Sequence, residues 1–147
     1  MRNQRKILRW WGLRGKGQAL AEFALVVPVF MLLVGGIIQF GILFWGQNTL
    51  TQIVRDAGRY AATVKDCTTA YETDIVSKTQ AIAAQSSLTG TLGTVNVTFS
   101  TSPCFPRSNT DVDWVTIQAQ AQVPVFFPLV SGQISTSATF RMEPIAQ

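Results

Sequence analysis

The chain of 147 residues contains no histidine. Imidazole is the commonest general base and the commonest metal ligand, so its absence removes Ser-His-Asp and Cys-His catalysis and most zinc sites. Cysteine is nearly absent as well: Cys67 and Cys104 are the only two. Two thiolates with no histidine to complete them make a poor zinc set. No glycine-rich phosphate loop and no nucleophile motif occurs. Charge is sparse, with Asp, Glu, Lys and Arg making up 14% of the residues. None of it lies between Phe23 and Val54. The net charge of +4 does not describe a nucleic-acid binder, because Arg2, Arg5, Lys6, Arg9, Arg14 and Lys16 are half of the 12 basic residues. From Gln18 onward acids outnumber bases, so the basic character belongs to the N-terminal segment alone.

What is present in quantity is apolar chain. Phe23 to Trp45 holds one strongly polar side chain, Gln39. As a helix this run is roughly 35 Å long, against about 30 Å of bilayer hydrocarbon. It predicts a membrane span over residues 23–45. The cations before it, with no acid among them, predict a cytoplasmic N-terminus and an extracytoplasmic remainder. A cleaved secretory signal has an apolar core of about 7 to 15 residues and then a small-x-small site. This run is nearly twice that and ends in Phe44-Trp45-Gly46-Gln47, so cutting on the far side is not expected.

The distinctive residues lie on the near side. Gly17 is followed, five residues on, by the lone acid Glu22 and then by Phe23. A basic leader, a glycine, an acid at the fifth following position and an unbroken apolar helix resemble the processing site of type IV prepilins and pseudopilins. The opening Gln18-Ala19-Leu20-Ala21-Glu22-Phe23-Ala24-Leu25-Val26-Val27-Pro28 resembles the "AxxEFALVxP" start of the TadE-like family, minor pseudopilins of the tight-adherence pilus. Arg55-Asp56-Ala57-Gly58-Arg59-Tyr60-Ala61-Ala62 is similar to the family's "AREGARYAA" stretch. Ala138-Thr139-Phe140-Arg141-Met142-Glu143 is similar to its closing strand. The resemblance implies a structural subunit, not an enzyme, processed by a prepilin peptidase between Gly17 and Gln18. Its implied partners are the inner membrane, other pilins and pseudopilins, and the pilus assembly platform. Gln18 departs from the small or apolar residue often found after the cut, which opens its terminus to deamidation or cyclisation.

The opening also makes physical sense by itself. Cutting after Gly17 removes every leader cation and so releases the charge that fixes the helix in the bilayer. Glycine there gives a peptidase an unencumbered, extended backbone. Only Gly17 puts Glu22 fifth in the product; Gly15 would put it seventh. Among packed apolar helices an unpaired carboxylate costs several kcal/mol, so Glu22 needs a partner. The new α-amine on a neighbouring subunit's Gln18 is the natural candidate, with Glu22 and Phe23 as the assembly determinants. The competing reading is an ordinary acid near a helix N-terminus, stabilised by the macrodipole.

Within the span, Pro28 removes one backbone hydrogen bond and predicts a kink. Gly35, Gly36 and Gly41 offer small surfaces for close helix packing, or are glycines simply tolerated in a membrane helix. Beyond it, Leu50, Ile53, Val54, Ala57, Ala61 and Val64 recur at helical spacing, so the helix should continue outward to about residue 64. Three parts follow: a leader over 1–17, a helix over 18–65 and an extracytoplasmic domain over 66–147.

That domain opens with a second amphipathic pattern from Tyr71 to about Ser86, with Tyr71, Ile75, Val76, Ile82 and Ala83 on one side. The period then changes to two along Val95–Phe99, Val115–Val123 and Ile134–Met142. The prediction is an α+β fold with a sheet of about three antiparallel strands lying on the first helix. Thr89–Gly93 and Ser102–Asn109 read as loops. In an oxidising compartment Cys67 and Cys104 are expected to pair, with two buried free thiols as the alternative. Asn96-Val97-Thr98 matches a glycosylation sequon, but within a strand pattern. Asp111 and Asp113 read as a solvated strand entrance, with a calcium site or a catalytic pair as the sharper alternative. Val125-Phe126-Phe127-Pro128-Leu129-Val130 is a costly segment to expose, and three covers are open: the sheet, the membrane or another subunit. The function read from all this is a pilin-like assembly subunit. The alternative is a permanently anchored scaffold or receptor that keeps its leader.

Overall fold

The computed structural model describes residues 14–63, 71–100, 113–127 and 131–142. The chain divides into two compact units, one ending at Ile38 and one beginning at Gln39. Helix α1 spans Arg14–Thr63 and helix α2 spans Tyr71–Gln85. Three strands follow: β1 (Thr91–Phe99), β2 (Trp114–Gln122) and β3 (Gln133–Arg141). They form one antiparallel sheet in the order β1-β2-β3. The expected α+β architecture is therefore present, with the long helix, the second helix and the three strands in the expected sequence.

In the unit ending at Ile38, the apolar side chains of α1 point outward, including Leu20, Phe23, Leu25, Phe30 and Leu33. This helix is long and apolar enough to cross a membrane. The helix runs without interruption through Pro28.

The second unit holds the core. Leu50, Ile53, Val54, Ala57 and Ala61 of α1 are buried, as are Val115, Ile117, Ala119 and Ala121 on alternate positions of β2. Tyr71 and Ile75 of α2, together with Val123, Ile134 and Met142, complete it. This is the helical spacing and the strand alternation read from the sequence, now facing one another. Thr79, absent from the predicted apolar side, is buried too, because its hydroxyl donates back to the Ile75 carbonyl at 2.7 Å. Val76, Ile82 and Ala83 are only half-buried.

Two contacts show how β3 runs beside α1. A Cβ on Gly46 would meet Ile134 at 3.2 Å, and one on Gly58 would meet the Phe140 ring at 2.0 Å. From 46 to 58 the helix advances about 18 Å, and from 134 to 140 the strand advances about 20 Å. The two advance together. Gln47 Nε2 also donates to the Ser135 carbonyl at 3.0 Å, which occupies one acceptor on the edge strand.

One expectation is corrected. Thr91–Gly93, read as loop, is the start of β1, and the pairing with β2 shifts register between Leu92 and Val95. A bulge at Gly93-Thr94 breaks the alternation on which a sequence reading depends. Gly90 takes φ +151°, where a Cβ would lie 2.2 Å from the Gln122 carbonyl oxygen, so the turn into the strand needs glycine.

Candidate functional site

The helix opening is built on the first turns of α1. The expected helix start at residue 18 moves back to Arg14, so Gly17 is helical and exposed, with nothing within 4 Å of where a Cβ would stand. It is not in the extended form that proteolysis requires. Its turn is the outermost one, however, and the first four N–H groups of a helix have no intrahelical acceptor, so unwinding there breaks few bonds. Glycine weakens the turn by about a further 1 kcal/mol relative to alanine.

Gln18 and Glu22 stand one helical turn apart on the exposed face, and Gln18 Nε2 donates to Glu22 Oε1 at 3.2 Å. In the intact chain no acid lies in the first turn of α1, so Glu22 is beyond the reach of the macrodipole. A new N-terminus at Gln18 would bring the helix end to within about one turn of the carboxylate. The same residue would add an amine beside an acid already aligned by its side-chain amide. Phe23 is exposed directly after this pair. The opening thus presents an acid, an amide and an aromatic ring to whatever packs against it.

Pro28 is exposed and Gly35 and Gly36 are half-buried along the same helix. A Cβ on Gly36 or Gly41 would meet nothing within 4 Å. Neither glycine is required for packing inside the chain, so the surface they offer faces outward.

The second family-like segment has a different character. Gly58 receives the Phe140 ring, so it and the closing strand, two stretches far apart in sequence, meet at this notch. Tyr60 donates its hydroxyl to Asp74 Oδ2 at 2.7 Å, and Lys78 Nζ lies 5.5 Å from the centre of the Tyr60 ring. The hydrogen bond to Asp74, partial burial and the Asp74 charge raise the Tyr60 pKa above its usual 10.0. The carbonyl of buried Ala61 accepts the Tyr71 hydroxyl, and the Tyr71 ring tilts against Phe99 at 5.3 Å. Arg55, Asp56 and Arg59 are exposed. Gly58, Tyr60 and Ala61 are therefore joints between α1, β3 and α2.

Gln39 is the residue whose role the sequence left open. It is 2% exposed, and its Oε1 accepts from the Phe126 N–H at 2.8 Å. Its Nε2 donates to the Pro124 carbonyl at 3.5 Å. A single polar position in an apolar run was the signal, but its partner was unreadable because 85 residues separate them.

Cys67, Cys104 and Asp111 lie outside the described residues. Asp113 lies at the entrance to β2, and its carbonyl accepts from the Met142 N–H at 2.9 Å. Among the described residues no three acid or cysteine side chains cluster in a way that could hold a metal ion. Asn96 is exposed on β1, opposite Gln118.

No curated protein and no solved structure matches the chain. Residues 17–59 match the family model described as "TadE-like protein", a stretch that opens on Gly17 and ends beside the Gly58 notch.

Proposed function

We propose that this chain is a prepilin-like structural subunit of a tight-adherence pilus, cut between Gly17 and Gln18 and assembled through its apolar helix. The TadE-like match over residues 17–59 supports a place in the tight-adherence pilus system. The observation that carries the finer reading is where that match falls: on a helix whose Leu20, Phe23, Leu25 and Phe30 side chains are more than half exposed. Lipid covers them before assembly, and neighbouring helices cover them after.

The chain sits in the inner membrane as a single span, with its leader in the cytoplasm and its α+β domain outside. A prepilin peptidase removes the leader and with it the cations that hold the helix across the bilayer. The helix then transfers from lipid to a bundle of like helices at little hydrophobic cost, because both environments are apolar. Glu22 sets the register by pairing with the free amine of a neighbour's Gln18. The assembly platform and the other pilins are the partners; neither nucleic acid nor a small substrate is involved.

Intact mass of the protein recovered from cells that contain the matching peptidase tests this directly. A product lacking residues 1–17 is expected. Recovery of the uncut chain alone would favour the permanently anchored scaffold.

A further inference from the structure

We propose that the loop from Pro124 to Phe127 is a second membrane contact, with Phe126 inserted at the acyl boundary of the leaflet on the domain's side. The inference rests on α1 being a membrane anchor, and it adds a lipid-binding surface on the sheet end of the fold.

The argument begins with depth. Twenty residues counted from Phe23 end at Ile42, which is about the length of helix that crosses the hydrocarbon. Gln39 falls short of that limit, inside the lipid-facing part of the run. Yet it is buried and tied to the loop: it accepts from the Phe126 N–H at 2.8 Å and donates to the Pro124 carbonyl at 3.5 Å. Whatever depth Gln39 has, the loop shares.

The loop is also made for that depth. Phe126 is 70% exposed, and Val125 is exposed beside it. No charged residue occurs from Asp113 to Arg141, apart from those two ends. Irregular backbone survives next to lipid only if its polar groups are satisfied. Here Gln39 answers one N–H and one carbonyl, while Pro124 and Pro128 have no N–H to satisfy. The Val123 N–H donates to the Gly132 carbonyl at 2.8 Å and closes the base of the loop. On α1, Phe40, Phe44 and Trp45 are likewise exposed around this level, as aromatic residues at a membrane–water boundary commonly are. A second copy of the chain could cover Phe126 instead, but Gln39 fixes the loop at a level where the surroundings are lipid.

Photo-crosslinking of the full chain in proteoliposomes tests this, with a benzophenone side chain introduced in turn at Phe126, Phe30 and Trp114. Phe30 lies in the span; Trp114 is exposed at the opposite end of β2, roughly 30 Å along the strand from the loop. Lipid adducts are read by intact mass. Positions 30 and 126 should both form them, and position 126 at least about tenfold more than 114. Labelling at 30 with no excess at 126 over 114 would overturn the inference and leave the anchor standing. Crosslinks from 126 to another chain in place of lipid would overturn it in favour of a subunit contact. Failure at 30 as well would overturn the anchor reading on which it rests. Gln39→Leu, which keeps α1 apolar but cuts the tether, should lower lipid labelling at 126 several-fold and leave position 30 unchanged; equal labelling at 126 would overturn the tethering role.

Discussion

Gly58→Ala separates two opposed effects whose sizes follow from the structure. Within an exposed helix, alanine would stabilise by about 1 kcal/mol relative to glycine. At position 58 the new methyl would stand 2.0, 2.2 and 2.6 Å from three atoms of the Phe140 ring, far inside van der Waals contact. Overpacking of that kind costs typically about 1 to 3 kcal/mol. Phe140 is only half-buried, so the ring can swing partly toward solvent and the cost should fall in the lower part of that range. The net result is a loss of about 0 to 1 kcal/mol. Removing the ring should reverse the sign: in a Phe140→Ala background, Gly58→Ala has nothing to strike and should stabilise by about 1 kcal/mol. Urea titration of the full chain in detergent, followed by tryptophan fluorescence, gives all four corners of the cycle. A coupling near zero, or a single Gly58→Ala that stabilises by the whole helix-propensity gain, would show that Phe140 does not sit on Gly58. The pairing of β3 with α1 described above would then be wrong.

Three further outcomes are expected. Glu22→Gln should leave the amount of membrane-inserted, processed subunit unchanged while filament yield falls at least about tenfold, roughly 1.4 kcal/mol of lost pairing; undiminished filaments, scored by electron microscopy, would refute the register role. The raised Tyr60 pKa means the folded state holds that proton more tightly, so its contribution to stability is complete below pH 10.0 and is lost as pH rises through the higher folded value. Tyr60→Phe should be less stable than the parent at neutral pH and should lack that alkaline loss, which urea melts between about pH 8 and 11 will show. Cys67 and Cys104, if joined, give a mass about 2 Da below that of the reduced chain, and reduction should cost at most roughly 3 to 4 kcal/mol of stability for a loop of that length.

The apolar run from Phe23 to Trp45, the N-terminal cations and the family-like spacing from Gly17 to Phe23 can be read from the sequence because each is a local property: length, charge and spacing along one stretch. Periods of 3.6 and 2 similarly gave α1, α2 and the three strands, since burial of one face leaves its imprint on every residue of a regular element. The start of β1 was hidden because a bulge at Gly93-Thr94 interrupts that period. Thr79 was hidden because a hydroxyl that bonds its own helix is buried as readily as a small apolar group.

The sequence by itself therefore determined what the chain is made of: a cationic N-terminal stretch, an apolar helix with one acid at its opening, and an α+β domain after it. Tertiary structure alone decided which distant residues answer one another. Gly58 admits Phe140, Tyr60 holds Asp74, and Gln39 holds the backbone at Phe126. Such pairings depend on closure across tens of residues, and no periodicity records which partner a side chain will meet when the loop closes.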